Sequence, residues 1–179
     1  MTDVFDAHAV RYDQWFERHP AVYRAELRAV EDLWPAVERG VEIGVGSGRF
    51  ALPLGIRHGV DPAAGMRRLA RERGIEAVEG VAERLPYPSD SFDAVLLVTN
   101  ICFVADPLAA AEEAWRILRP GGSVVVGFID RDSALGQTYC GEVGRGSPFY
   151  RRARFFGAAE GYGRGLFVAV RGSKTETER

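Results

Sequence analysis

VEIGVGSGRF, running from Val41 to Phe50, is the stretch whose reading decides the fold. Val41, Ile43 and Val45 suit a strand inside a sheet, and Glu42 is an acid set within that apolar run. Gly44, Gly46 and Gly48 then permit a tight turn and let a ligand approach the backbone closely. The turn is expected to open a helix, however short, and the free N–H groups of such a junction suit the polar end of a nucleotide-like ligand. A glycine-rich turn read alone is equally a plain loop. The dinucleotide fingerprint G-x-G-x-x-G is not met, because Arg49 stands three residues after Gly46 and the glycine falls one earlier, at Gly48.

Downstream, a second strand (56–60) ends in GVDP, residues 59–62, and GVAERLPYPSDSFDAV follows at 80–95. VTNICFVADP occupies 98–107, and a helix closing in ILRPGG, 117–122, precedes a further apolar run. With the E-x-G-x-G-x-G of Glu42 to Gly48, this order resembles the class I S-adenosylmethionine (SAM)-dependent methyltransferases, in the type 11 group that is similar to the ubiquinone and menaquinone biosynthesis enzymes. The resemblance covers about residues 1–156 and is specific as a set. It implies a Rossmann-like, doubly wound and mostly parallel α/β sheet. One SAM-binding domain would span 1–179: a helical lid (1–38), a cofactor core (39–130) and a shortened C-terminal part (131–179).

Composition agrees with one domain. A chain of 179 residues buries roughly 70% of its unfolded surface without disulfides or metals. Two cysteines are too few for a secreted disulfide framework, and a net charge of −2 without a basic block argues against nucleic acid as the main partner. The cluster Arg151, Arg152 and Arg154 reads as a solvated helix face. No apolar run approaches a membrane span and the N-terminus is unlike a signal peptide, so the expected location is the cytoplasm. No spacing supports a metal site or a Ser-His-Asp triad.

The N-terminal residues place Phe5, Tyr12, Trp15 and Phe16 among charges, as in a helical arm, and Tyr23, Leu27, Val30 and Trp34 follow helical spacing up to Pro35. The resemblance implies that this arm is a lid, with Tyr12 and Asp13 near the methyl donor; a purely structural aromatic staple is the other reading. It also implies that Glu42 meets the methionyl ammonium, and that the backbone at Gly44, Val45, Gly46 and Gly48 approaches the methionine and ribose. Asp61-Pro62 has two compatible readings, a helix start for 63–73 or a ribose-binding carboxylate at the end of a strand. Met66 either lines the adenine pocket or packs in the core.

The family's usual adenine-binding Asp is replaced by Val81, which leaves Ala82 and Glu83 for that role. Thr99, Asn100 and Cys102 fall beside the sulfonium and acceptor by resemblance, although Cys102 reads equally as a small buried hydrophobe. A helix capped by Asp106 and Pro107 is expected to turn Leu108, Ala111, Trp115 and Leu118 to the core and to stop at Gly121-Gly122. Asp130 follows the fifth strand (124–129). Tyr12, Asn100 and Asp130 are the catalytic candidates, and His8, His19 and His58 offer no assignable base.

The family's helix and sixth strand before the last strand are missing from the pattern. Leu166, Val168 and Val170 face one side of that strand and Phe167 and Ala169 the other, so its exposed edge invites pairing. Either a second subunit completes the sheet as a homodimer, or part of the chain is missing between 155 and 162. The expected activity is methyl transfer from SAM to a small-molecule acceptor. The alternative is a SAM-binding module with weak or no catalysis, because the C-terminal loss removes part of the acceptor pocket.

Overall fold

Short apolar runs, each buried on both faces, form the middle of a parallel sheet. The computed structural model describes residues 2–141 and 167–175. Three helices come first, α1 (Thr2–Ala7), α2 (Ala9–Arg18) and α3 (Pro20–Glu31). They are followed by β1 (Gly40–Ile43), β2 (His58–Asp61), α4 (Ala64–Glu72), β3 (Glu76–Glu79), β4 (Phe92–Val98), α5 (Pro107–Ile117), β5 (Leu118–Ile129), α6 (Ala134–Cys140) and β6 (Phe167–Ser173). The sheet order is β3-β2-β1-β4-β5-β6. All neighbours are parallel except β5 and β6, which run antiparallel.

The two-residue period of the strands divides the core into two layers. Val41 and Ile43 of β1 pack with Val95 and Leu97 of β4 and with Ala110, Ala114 and Ile117 of α5. Leu96 and Val98 face the other way, onto Phe16, Val30, Phe50 and Ala70. The sheet is therefore covered on both faces, as a doubly wound α/β fold requires. Strand order reverses between β1 and β4, which puts a crevice at their carboxyl ends, where such sheets bind ligands.

Three expectations are corrected. No helix follows the glycine turn: residues 44–57 cross to β2 through successive turns closed by bonds such as Leu52 N to Gly48 O and Ile56 N to Ala51 O. Pro53 lacks a donor to extend these turns into a helix. On α5 the buried stripe is Ala110, Ala114 and Ile117, whereas Leu108 is 70% exposed and Ala111 lies at the surface. That helix also ends at Ile117, not at the glycines: Pro120 disfavours helical backbone at Arg119, so the chain leaves early and Leu118 already pairs with Phe92.

Among the described residues β6 is the edge of the sheet, with Val168 buried and Phe167 lying over Gly127, where an added Cβ would stand 2.5 Å from the ring. Its Phe167–Ser173 run pairs with Ser123 to Ile129. The segment 155–162 and the arginine cluster at 151–154 lie outside the described residues. No helix among the described residues is long and apolar enough to cross a membrane, and no cluster of metal-ligating side chains occurs among them.

Candidate functional site

At the carboxyl edge of the sheet the turn after β1 meets the ends of β2 and β4. Gly44 and Val45 donate their backbone N–H groups to Val60 O, which fixes the bend against β2. Gly44 has φ +69, and a Cβ there would run into the Asn100 side chain, so glycine is required on two counts. Gly46 also has a positive φ, +53, but nothing lies within 4 Å of where its Cβ would stand, so its face opens onto free space.

Asp61, the last residue of β2, reaches across this bend. Its Oδ2 accepts the Gly46 N–H at 2.9 Å and its Oδ1 accepts the Ala63 N–H at 2.8 Å. The residue preceding α4 is Ala63, so Asp61, two residues before Ala63, braces the start of that helix. Burial raises the Asp61 carboxyl above its ordinary value, against the opposing pull of the Ala63 and Gly46 amides and of Arg67. Each oxygen still has a lone pair for a further donor. Pro62 O takes a bond from Arg67.

Glu42 sits mid-strand in β1 and is 2% exposed. Its Oε2 is buried without a hydrogen-bond partner among the described residues. Burial pushes the carboxyl well above the usual range, with the Ala51 amide opposing. Asn100 donates to Ile43 O while its own Oδ1 is likewise buried and unpaired. Thr99 holds a left-handed φ of +51, uncommon for a β-branched residue and the kind of backbone strain concentrated at functional sites.

The lid reaches this edge through Tyr12 on α2. Its ring packs edge-on against Phe5 and Phe16, and its hydroxyl bonds the Thr99 side chain. Burial raises the Tyr12 hydroxyl pKa, so it stays protonated at neutral pH. Cys102 lies close by, its Sγ donating to Thr99 O at 3.3 Å. Burial pushes the thiol up to about 12, so it is a small apolar lining group and not a nucleophile.

Asp13 does something the sequence did not indicate. It accepts Ser47 Oγ at 2.5 Å, Arg49 Nε at 2.8 Å, and Arg49 and Arg73 terminal nitrogens at 2.7 and 2.8 Å. Burial alone would raise its pKa, but these bonds outweigh it and hold the carboxyl far below its usual range. Asp13 thus rivets the lid to the glycine bend rather than facing the open space beside Gly46. Arg49, which breaks the dinucleotide fingerprint, is the rivet's main cation.

The remaining expected residues divide. Met66 is 1% exposed and packs with Ala9 and Ala63 under Tyr12, as core. Gly48 supports the bend from below, facing Ile75 and Ala70. Ala82 is buried. Glu83 holds the chain before α5, its Oε1 accepting Ala105 N at 2.6 Å and Asp106 N at 3.3 Å. Asp130 is buried at the end of β5 on the same sheet edge, and its Oδ1 accepts Asp132 N at 3.0 Å. His58 begins β2, away from this edge, beside Glu76 at 3.3 Å, and His19 stacks on Trp15.

One buried acid escaped the sequence reading. Glu26 on α3 is 4% exposed, and burial raises its carboxyl to about 7. It shares the core-facing stripe of Tyr23, Leu27 and Val30, and an acid in that apolar register was the signal that could have found it.

Residues 41–126 match the family model of a methyltransferase domain. A solved structure from Thermotoga maritima, a SAM-dependent methyltransferase described as a possible histamine N-methyltransferase, is 41% identical. It superposes with a TM-score of 0.92 over 98% of this chain and 100% of that one. An uncharacterized protein of Methanocaldococcus jannaschii is 42% identical over 88% of this chain and 76% of its own length. A demethylmenaquinone methyltransferase from Mycobacterium sp. is 31% identical over 70% of this chain. The chain spans 58% of that enzyme, and 54% of the uncharacterized Mycobacterium tuberculosis relatives it also matches.

Proposed function

The chain belongs to the class I, type 11 SAM-dependent methyltransferases, with SAM as cofactor, and from that premise we propose that it transfers a methyl group to a small-molecule acceptor at the β1–β4 edge. The observation that carries the proposal is the Asp61 carboxylate closing on the Gly46 amide at 2.9 Å, next to the open face of that glycine. The residues present fit the cofactor. The unpaired Glu42 oxygen is a buried acceptor suited to an ammonium group, and the lone pairs left on Asp61 suit a diol.

In this reading Glu42 would hold the methionyl ammonium, directly or through water, and Asp61 the ribose hydroxyls. Gly44, Val45, Gly46 and Gly48 would supply backbone along the methionine and ribose, with Pro62, Ala82 and Glu83 framing the adenine side. When bound, SAM supplies a methyl group already activated on a cationic sulfur. What remains for the chain is to exclude water and orient the acceptor, which can lower the barrier by roughly 7 to 11 kcal/mol. Tyr12 closes the site from the lid, while Thr99 and Cys102 line it from the end of β4. Asn100, with its unpaired Oδ1, can accept a bond from an acceptor's N–H or O–H, and Asp130 stands at the neighbouring strand end.

The test measures S-adenosylhomocysteine formation from SAM across pools of amines, phenols and quinols. Turnover with one pool supports the reading. Saturable SAM binding with no product from any pool would instead leave a cofactor-binding module.

A further inference from the structure

Glu26 is the buried charge that the cofactor side of the site does not use. Its carboxylate is 4% exposed on α3, and among the described residues it forms no hydrogen bond or ion pair. Among the described residues, groups within electrostatic reach of it include Tyr12 from α2 and Tyr139 from α6. Burial raises both hydroxyls' pKa values, so both are neutral near pH 7. Tyr139 is tied by a side-chain bond to Trp15, which, like Tyr12, Tyr23 and Phe167, packs against the core layer that contains Phe16 and Val30. A carboxyl in an aromatic layer, with no cation beside it among the described residues, stays ionised only at a cost, which a cationic ligand would offset. Aromatic faces favour the same kind of ligand, a cationic nitrogen.

We propose that Glu26 receives the basic nitrogen of the methyl acceptor, so that the acceptor is an amine held between Glu26 and the aromatic rings of Tyr12, Trp15 and Tyr139. The proposal rests on the methyltransferase reading and names its substrate class. Tyr12 links the two halves, since its hydroxyl bonds Thr99 at the end of β4 while lying within electrostatic reach of Glu26. An alkylammonium entering here gives one proton to the Glu26 carboxylate and becomes a neutral amine. The nitrogen lone pair then forms the new N–C bond as the C–S bond breaks, and that electron pair goes to sulfur. The product leaves as a methylated ammonium, and Glu26 returns its proton to solvent. A carboxyl that burial lifts to about 7 exchanges protons at neutral pH.

The experiment is calorimetric titration of the full chain with 2-phenylethylamine and its uncharged isostere 2-phenylethanol, in two buffers of different ionisation enthalpy. It is run on the wild type, Glu26→Gln and the apolar Glu26→Leu, alongside the SAM-induced melting shift of each. The expected result is amine binding at least tenfold tighter than the alcohol, with buffer-dependent heat that reports proton movement. Both variants should lose at least tenfold in amine affinity and keep the wild-type SAM shift. Equal binding of amine and alcohol, or amine affinity unchanged in both variants, overturns the proposal. A wild type that binds the amine through Glu26 and shows no SAM shift overturns the methyltransferase reading instead, and with it the amine's role as acceptor.

Discussion

Asp61 Oδ2 accepts the Gly46 amide proton at 2.9 Å, joining the end of β2 to the bend after β1 with no side chain between them. Everything proposed for the cofactor depends on that contact, because it brings a carboxylate and an open glycine face together. SAM at a hundredfold excess over its dissociation constant should stabilise the fold by about 2.7 kcal/mol, seen as a higher melting temperature. Asp61→Ala should remove most of the shift. If the variant responds to SAM like the wild type, Asp61 is only a brace for α4.

Gly44 and Gly46 have similar backbone angles, φ +69 and +53, but different surroundings. Gly46→Ala should cost about 1 to 2 kcal/mol, the price of a left-handed alanine, and abolish the SAM shift because its methyl enters the open space. Gly44→Ala adds a collision with Asn100, for a total of about 2 to 5 kcal/mol. Chemical denaturation ranks the two. Equal losses would mean that Asn100 moves aside freely.

Asp13 predicts an acid-side dependence. Its folded pKa lies below the unfolded value of about 3.9, so its contribution is complete above that value and is lost as pH falls through the folded pKa. Asp13→Asn should destabilise the fold by about 2 kcal/mol at neutral pH, a figure limited by the partial exposure of Arg49 and Arg73. The gap between variant and wild type should close in strong acid. A constant gap down to that range would show that the clamp is not ionic.

Glu42 has the opposite sign. Its folded pKa is raised, so the fold binds a proton that the unfolded chain has already lost, and stability falls as pH rises above about 4.3 until the folded pKa is passed. Glu42→Gln should therefore stabilise the cofactor-free protein at pH 7 while weakening SAM binding by at least tenfold. Denaturant titrations from pH 4 to 8 with and without SAM separate the two effects. Greater stability with undiminished affinity would remove Glu42 from the ammonium role.

A mostly parallel, doubly wound sheet was legible in the sequence through the family resemblance and the local pattern of its strands, whereas the order β3-β2-β1-β4-β5-β6 came from the structure. Apolar runs mark buried strands, and glycines mark where backbone must bend. The stripe buried by α5 was not legible: alanines at 110 and 114 face the sheet, and the larger Leu108 lies outside. How near the helix lies to the sheet, rather than hydrophobicity alone, chose the small residues.

By itself the chain order determined the glycine bend, Glu42 within its strand, and Asp61 at the tip of the next, since each is set by residues close in sequence. Only the tertiary structure decided that Asp13 clamps Arg49 and Arg73, 36 and 60 residues away, and that Glu26 lies buried near Tyr12. Those relationships arise from packing the lid helices onto the sheet. A charge on an amphipathic helix keeps or loses its water according to what that packing places over it.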